Sequence, residues 1–438
     1  MAAPLQVGVA RATITPPVGI QLVGFAGRGP ALGLHDDLYA TALVASSGDA
    51  RAALITCDLL GLDADRVAEV RAEVARRTDI PAAHVMVSCS HTHYGPSVGM
   101  PHHGEPEADV AAYIRVLPHL LAGAVQQAAA KLQEARIGVG RGSSDIGINR
   151  RERLSDGTIK LGHNPDGPID REVGVIRFDG ADGRPLATLA NFACHPVSQG
   201  GSVRLISADY PGRTRAVVEQ LTEAPCLFLQ GAGANINTRR MEPDNEPARQ
   251  QGTILACDVV RTRERVSSAP AAGVAVASET LALPAMTFAS EAEGREQVAA
   301  LERQSADQRA RGADPGAIQW TERRLERARR QLDSLCSGDP LPSIAAEVQA
   351  LRLGPVVLAG APGEIFNEIG RAVKERSPAP ETFFLGYTNG SIGYVPVPEA
   401  YPEGGYEVTH ACRVDPPAAG MIIEGCLRMV GRVVGRAE

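Results

Sequence analysis

The sequence predicts an α/β protein whose strands form sheets flanked by helices, with an inserted helical hairpin. First, the short apolar segments 38–46, 52–57 and 84–90 enclose one helical segment, and strand and helix patterns alternate again further along. Second, hydrophobic residues make up 44% of the 438 residues, which is enough for a large core. Third, one late segment is rich in Arg, Glu, Gln and Ala and separates two apolar regions.

The first helix is predicted over 63–77. Apolar residues recur at a helical period at Val67, Val70 and Val74, and Asp63 stands where an N-terminal cap is expected. The strand 84–90 that follows leads into a polar loop beginning at Ser90. Because α/β proteins place their sites at the carboxyl ends of strands, this loop is a candidate site.

The remaining elements alternate in the same manner. We predict strands over 173–178, 187–194, 227–229, 273–283, 344–353 and 355–359, and helices over 108–132, 248–265 and 420–435. The sequence contains no internal repeat and no low-complexity tract.

A helical hairpin is predicted over 291–335, with a break at 312–317, inside an inserted segment that we place at 289–341. Both charge signs are interleaved, which favours a solvated hairpin over a nucleic-acid-binding arm. A lid, or a contact in a homo-oligomer, is the alternative, and Trp320, the one tryptophan of the chain, supports it.

Composition and charge exclude several classes of protein. The net charge of −7, from 44 basic and 51 acidic residues, argues against a dedicated nucleic-acid binder. No stretch approaches the roughly 20 apolar residues that span a bilayer, and no signal peptide is visible, so we expect no transmembrane segment and a cytoplasmic location. The 8 cysteines lack C-x-x-C spacing, which predicts reduced, mostly buried thiols.

The strongest local signal is the motif Ser90-His91-Thr92-His93-Tyr94-Gly95-Pro96, directly after a predicted strand. In extended backbone, alternate side chains face the same way, so His91 and His93 would converge. Neutral imidazole is the commonest protein ligand for metals. Two solvated loop histidines are the ordinary alternative for such a pair.

Two more candidate ligands follow predicted strands. His195 follows the segment 187–194, and Pro196 stops further strand pairing. Glu364 follows the strand 355–359 through a Gly/Pro turn. Catalytic zinc sites usually combine His with a carboxylate and leave one position open, so these residues are candidates for one site. A buried structural histidine and a helix cap are the alternatives.

The segment 387–406 is rich in tyrosine, holding four of the 8 in the chain. With it, the ordered motifs resemble the catalytic domain of the neutral/alkaline non-lysosomal ceramidases over nearly the whole chain. The motifs that carry the resemblance are His91-Thr92-His93 with Gly95-Pro96, Asn149-Arg150, His163-Asn164-Pro165-Asp166, Ala193-Cys194-His195, Ile206-Ser207-Ala208-Asp209, Gly363-Glu364, and Gly393-Tyr394-Val395 through Glu399 to Tyr406-Glu407.

The resemblance implies a zinc-dependent amidohydrolase that cleaves a linear amide C–N bond, since the family cleaves N-acylsphingosine with metal-activated water on a two-sheet core. It implies four ligands to one Zn²⁺, namely His91, His195, Glu364 and Tyr394. It also implies three catalytic residues at the reacting centre, which are His93, Arg150 and Tyr406. The expected substrate is a lipid or small-molecule N-acyl amide, and residues 1–288 and 342–438 would form the ceramidase-like metal hydrolase domain.

The sequence departs from the family pattern in two places. Characterised members continue into an immunoglobulin-like domain, whereas this sequence ends about thirty residues after Tyr406, so we expect no such domain. Where those members carry Gly-Asp-Val-Ser-Pro, this sequence reads Gly231-Ala-Gly-Ala-Asn235-Ile-Asn237-Thr. A serine nucleophile therefore has no counterpart, which leaves the metal–water mechanism.

In that mechanism a bound zinc ion would lower the pKa of water to about 7 and polarise the acyl carbonyl. His93 is the expected proton acceptor, because the ordinary imidazole pKa of about 6.5 suits transfer at neutral pH. Arg150 and Tyr406 would donate hydrogen bonds to the developing oxyanion.

The substrate is the weakest part of this hypothesis. Aromatic residues are only 4% of the chain, so a water-soluble amide is as credible as ceramide. One alternative is an esterase or lactonase acting on a small soluble substrate. The other is a non-catalytic metal-binding or interaction protein, although structural zinc sites usually use Cys and His alone. Five polar residues keep open roles as site or structural groups: His35, Asp58, His102, His103 and Asp209.

Overall fold

The computed structural model describes residues 3–98, 108–313 and 315–435. The helices of these residues are α1 Ala64–Arg77, α2 Ala108–Ala129, α3 Asp209–Thr222, α4 Glu246–Arg263, α5 Glu291–Ala310, α6 Pro315–Ser337, α7 Asn367–Arg376, α8 Ala400–Glu403, α9 Tyr406–Thr409 and α10 Pro417–Val434. The strands are β1 Gln6–Thr13, β2 Gly33–Leu34, β3 Tyr39–Ser47, β4 Ala50–Cys57, β5 Val85–Cys89, β6 Gln133–Ser143, β7 Gly147–Arg153, β8 Ile159–Asn164, β9 Glu172–Gly180, β10 Pro185–Phe192, β11 Leu205–Ile206, β12 Cys226–Gln230, β13 Ile236–Thr238, β14 Ala269–Pro270, β15 Val274–Leu283, β16 Ile344–Leu353, β17 Val356–Gly360, β18 Glu364–Ile365, β19 Glu381–Leu385 and β20 Tyr394–Val395.

Two sheets form the centre of the fold. The larger is 9-stranded, in the order β12–β10–β9–β6–β1–β3–β4–β5 with β14 paired to β6, and the smaller is 4-stranded, in the order β15–β16–β17–β19. One apolar cluster takes Leu54 and Leu229 from the larger sheet and Leu358 and Phe383 from the smaller. The two sheets therefore pack face to face.

Helices cover the outer faces of both sheets. Leu54 faces the smaller sheet, whereas its neighbour Ile55 packs with α1 and α2, as the alternation of a strand requires. Helices α3 and α4 pack on β9, β10 and β12, and α7 and α10 pack on the smaller sheet. The layers run helix, sheet, sheet, helix, which confirms the predicted α/β class.

Strands β6, β7 and β8 were not predicted from the sequence. Strand β6 carries glycines at 138, 140 and 142 between Ile137, Val139 and Arg141, which is a poor strand pattern. It nevertheless pairs with β9 along nine residues. A Cβ on Gly140 would lie 2.5 Å from Val266, just beyond α4, so glycine permits the close approach of α4 to the sheet. Because this close packing requires glycines, the sequence of β6 lacks the usual pattern of a strand.

The helical hairpin is present as α5 and α6, which pack through Leu301, Leu325 and Ala328. Gln331 of α6 donates a hydrogen bond of 2.7 Å to the Met286 carbonyl, which docks the hairpin on the main body. Whether 289–341 is an inserted unit of its own stays a prediction.

Helix α2 contradicts the expectation that no segment approaches a membrane span. It is long and apolar enough to cross a bilayer by length and composition, with a mean hydropathy of 1.3. Its apolar residues Leu117, Leu121 and Val125 nevertheless pack against the larger sheet, as in the core helix of a globular protein. The 8 cysteines are all free, and Cys257 and Cys336 alone among them are exposed.

Candidate metal centre

Five predicted site residues lie at strand ends or on short strands at one edge of the sheets. His91 and His93 lie in the loop after β5, and His195 follows β10. Glu364 begins β18 and Tyr394 begins β20, and these two residues are direct partners in the parallel pair of strands. The pairing brings together a carboxylate and a phenol that are thirty residues apart in sequence.

The polar atoms of three imidazoles and one carboxylate converge. His91 Nε2 lies 3.2 Å from His195 Nε2 and 3.2 Å from His93 Nε2. Glu364 Oε2 lies 3.2 Å from His195 Nε2 and 3.4 Å from His91 Nε2. The three histidines thus offer nitrogens that lie within 4.8 Å of one another, a spacing that could hold a metal ion.

Backbone carbonyls fix the orientation of two of these imidazoles. His91 Nδ1 lies 2.6 Å from the Leu60 carbonyl, and His195 Nδ1 lies 2.7 Å from the Gly233 carbonyl. A carbonyl only accepts hydrogen bonds, so both Nδ1 atoms carry the proton. Each Nε2 then presents a lone pair to the centre, which is the arrangement of metal-ligating histidines.

The backbone and the neighbouring ring also hold His91. Its φ of 67° lies in the left-handed region. Non-glycine residues seldom adopt this conformation, and those that do are concentrated at functional sites. The ring of Tyr387 stacks on the imidazole at a centroid distance of 4.0 Å. Tyr387 was not assigned a role from the sequence, because only the fold brings it to the end of β5.

The charges of the centre suit a cation. Burial and the Arg150 guanidinium lower the pKa of His195 to about 4, so this imidazole is neutral at pH 7. Burial opposes the charge of Glu364, but His91 and His195 hold the pKa of its carboxyl well below the ordinary value. The centre therefore presents two imidazole Nε2 atoms and one carboxylate together.

Arg150 connects Tyr394 to a buried carboxylate. Its Nη2 donates to the Tyr394 hydroxyl at 2.9 Å, and its Nε donates to Glu407 at 2.7 Å. Arg151 donates to the other oxygen of Glu407 at 2.9 Å. Burial opposes the charge of Arg150, but Tyr394 and Glu407 raise the pKa of its guanidinium. Glu407 is thus a positioning residue that sequence analysis left without a role.

Tyr394 and Tyr406 are neighbours at the edge of the centre. Tyr394 is the strand partner of Glu364, and burial raises the pKa of this phenol well above the ordinary value. The Tyr406 ring meets the Tyr394 ring edge-on at 5.8 Å. Tyr406 is half-buried, and burial raises the pKa of its phenol to about 12. Both phenols keep their protons at neutral pH.

His93 differs from the other two imidazoles. Its Nδ1 is buried and has no hydrogen-bond partner in the described part of the chain. Burial and the proximity of His91 lower the pKa of His93 well below its ordinary value. Gly24 has a φ of 108° and packs against this ring. A Cβ on Gly24 would lie 2.7 Å from the His93 ring, so any side chain there would displace the imidazole. The Phe25 ring contacts the same imidazole edge-on at 5.1 Å.

Two residues with open roles lie outside the centre. The Asp209 carboxylate accepts from the Ser198 N–H at 2.9 Å, so the Gly233 carbonyl, and not Asp209, orients His195. Asp58 forms a buried two-point ion pair with Arg215 at 2.6 and 2.5 Å.

The other three open roles belong to histidines. His35 pairs with Asp36 at 3.1 Å and is about one-third exposed. His102 and His103 lie outside the described residues.

The comparisons with known proteins agree with this geometry. The family model for neutral/alkaline non-lysosomal ceramidase, N-terminal, matches residues 5–308, more than half of the chain. The neutral ceramidase from Pseudomonas aeruginosa is 19% identical with a TM-score of 0.74, over 98% of this chain and 75% of that chain. A ceramidase complexed with C2 is 19% identical with a TM-score of 0.75, over 99% of this chain and 76% of that chain. The structures show a shared fold, and the family match confirms the resemblance: this chain belongs to the neutral/alkaline non-lysosomal ceramidase family.

Proposed function

We propose that this protein is a zinc-dependent amidohydrolase that cleaves a linear N-acyl amide bond with an activated water. The observation that carries the proposal is the convergence of His91 Nε2, His195 Nε2 and Glu364 Oε2 within 3.4 Å, with both Nδ1 protons donated to backbone carbonyls. Membership of the ceramidase family supports a hydrolase that acts on an amide bond.

The donor set fits a zinc ion. Neutral imidazole nitrogen and carboxylate oxygen are both common zinc ligands, and a mixed set is typical of catalytic sites. His91, His195 and Glu364 would hold the ion, and Tyr394 would complete the set through its hydroxyl beside Glu364. When bound, the ion would supply Lewis-acid activation of water and of the acyl carbonyl.

His93 is proposed as the proton acceptor. His91 and His195 are each held in one tautomer by a carbonyl, whereas His93 Nδ1 has no such partner among the described residues. A ring that is free to exchange tautomers can accept a proton from water and pass it to the leaving amine. Gly24 and Phe25 hold this ring in place.

Arg150 and Tyr406 are proposed as donors to the oxyanion that forms from the amide carbonyl. Glu407 keeps Arg150 charged and fixed, and the Tyr406 phenol keeps its proton. Preorganised donors of this kind contribute about 2.7–4 kcal/mol each to the transition state in other enzymes.

The proposed substrate is a ceramide-like or smaller N-acyl amide, in keeping with the family name. We would incubate zinc-loaded protein with N-acyl amides that run from N-acetyl amino acids to long-chain ceramides and measure the free amine, with matched esters in parallel. We expect amine release that stops when a chelator removes the metal and returns with zinc. Ester cleavage without amide cleavage would replace the amidase by an esterase, and no turnover by zinc-loaded protein would refute the hydrolase.

A further inference from the structure

Three arginines lie close to one another near Tyr406, and none has an acidic partner among the described residues. Arg324 and Arg327 lie on α6, and Arg413 lies between α9 and α10. Within the described ranges none of the three is within ion-pair distance of a carboxylate, whereas their neighbour Arg329 on α6 pairs with Glu302 at 2.7 Å. We call these three residues the arginine rim.

The arginine rim contacts the catalytic edge of the centre through α6. Arg327 Nη2 donates to the His410 carbonyl at 2.8 Å. The His410 ring stacks on the Tyr406 ring at 5.5 Å, and Tyr406 in turn meets Tyr394. One layer of side chains therefore separates Arg327 from the proposed oxyanion donor.

Arg413 lies next to the strand that carries Tyr394. A Cβ on Gly393 would lie 3.7 Å from Arg413 Cδ, and Gly393 directly precedes Tyr394. Residue Cys412, next to Arg413, forms a β-bridge with Tyr394. The hairpin and the main body thus both contribute arginines to the rim.

Grouping these cations is unfavourable without a counterion. Burial, followed by the positive charges of Arg324 and Arg413, lowers the pKa of Arg327 to about 10. Burial and the same arginines of α6 lower the pKa of His410 to about 4. The chain has a net charge of −7, and acidic residues are abundant, yet none pairs with the three rim arginines in the described structure. Partly buried guanidinium groups of this kind are well suited to carboxylate and phosphate.

We propose that the arginine rim binds an anionic group of the substrate, so that the preferred substrates are N-acyl amides that also carry a carboxylate or a phosphate. This inference rests on the proposed amidohydrolase function. An anion held at the rim would fix the scissile amide beside Tyr406 and Tyr394, where the proposed catalytic groups lie. Neutral ceramides would lack this anchor.

Three substrates with one acyl chain test the proposal: N-octanoylethanolamine, N-octanoylglycine and N-octanoyl-O-phosphoethanolamine. We expect kcat/KM to be about tenfold or more higher for at least one anionic member, mainly through KM, and to fall toward the neutral value at high salt. The two anionic arms distinguish a carboxylate from a phosphate. Equal or faster cleavage of the neutral amide would overturn the rim assignment and leave the amidohydrolase intact.

Substitutions of single arginines test whether the rim causes the preference for anionic substrates. Arg324→Gln and Arg413→Gln should each lower kcat/KM about tenfold more for the anionic substrate than for the neutral one. Arg303→Gln is the matched control, because Arg303 is exposed on α5 of the same hairpin. A preference that survives both rim substitutions would also contradict the proposal.

A binding measurement separates the rim from catalysis. Trp320 lies one helical turn before Arg324, and it is the only tryptophan of the chain. Titration with inorganic phosphate should change its fluorescence saturably in the natural protein and in Arg303→Gln, but not in Arg324→Gln. No amide cleavage with intact phosphate binding would refute the proposed function alone. No phosphate binding together with a preference for N-octanoylglycine would assign the rim to a carboxylate, and the absence of both results would refute the rim.

Discussion

Asp58 is a buried carboxylate and Glu364 a half-buried one, and both follow apolar strands, yet their surroundings are opposite. Asp58 faces the Arg215 guanidinium at two points and accepts from the Tyr39 N–H, so the chain itself neutralises its charge. Glu364 faces the Nε2 atoms of His91 and His195, which are held with their lone pairs inward. We call Asp58 and Arg215 a closed pair, because the chain itself supplies the charge that neutralises the carboxylate. A carboxylate beside two inward-facing imidazole lone pairs instead forms a site that would bind a cation from outside the chain.

The largest expected effect comes from removing one of these lone pairs. We expect His195→Ala to lose amide hydrolysis to the background rate, because the proposed zinc would lose a ligand. Free amine released per folded chain is the measurement. His119→Ala is the control, since His119 is exposed on α2 and pairs with Glu73, and it should retain full turnover. Full turnover by His195→Ala would contradict the ligand assignment.

Next, His93→Ala should lower turnover by about 10²–10⁴-fold, the usual contribution of a general acid–base residue, and leave the bound metal in place. This result would distinguish His93, whose tautomer is not fixed, from His91 and His195, whose tautomers are fixed by backbone carbonyls. Metal analysis and kcat on the same sample are the measurements. Loss of the metal together with activity would make His93 a ligand, and unchanged kcat would remove it from the mechanism.

The closed pair predicts an effect on stability and none on chemistry. Asp58→Asn leaves the buried Arg215 charge uncompensated, which we expect to lower the free energy of unfolding by about 3–5 kcal/mol. Denaturant unfolding measures it, and activity per folded chain should be unchanged. Asp182→Asn removes an exposed pair with Arg184 and should cost below about 1 kcal/mol. An equally small loss at Asp58 would undermine the contrast with Glu364.

Asp209 is another buried carboxylate, and its pKa, raised by burial to about 7, predicts a proton in the folded state. Between about pH 4 and pH 7 the unfolded chain releases that proton and the folded chain keeps it, so this group lowers the free energy of unfolding as pH rises. Between about pH 5 and pH 8, the free energy of unfolding of Asp209→Asn should therefore rise by about 3 kcal/mol relative to that of the natural protein. Parallel pH profiles for the two proteins would contradict this assignment.

The local patterns of the sequence predicted much of the fold. Strand β16 lies at 344–353 as predicted, and Asp63 caps α1 by accepting from the Arg66 N–H at 2.8 Å. Strand β6 was missed, because its three glycines serve the packing against α4 and the residues just after it, and glycines are rare in strands. Periodicity therefore reveals an element only where its own side chains form the packing surface.

The candidate site was also predicted only in part, because some of its contacts join segments that are distant in the sequence. Strand ends and the family resemblance pointed to His91, His195 and Glu364, which the structure brings together. The stacking of Tyr387, the enclosure of His93 by Gly24 and the anchoring of Arg150 by Glu407 depend on contacts between distant segments. No local pattern encodes such contacts, so they emerge only from the fold.

The most direct test is the zinc content of metal-stripped protein after reconstitution, compared among the natural chain, Glu364→Gln and Asp58→Asn. The account predicts one zinc ion per chain in the natural protein and in folded Asp58→Asn, and far less than one in Glu364→Gln. A full complement of zinc in Glu364→Gln, or none in the natural protein, would contradict the claim that these inward lone pairs and this carboxylate form a metal centre.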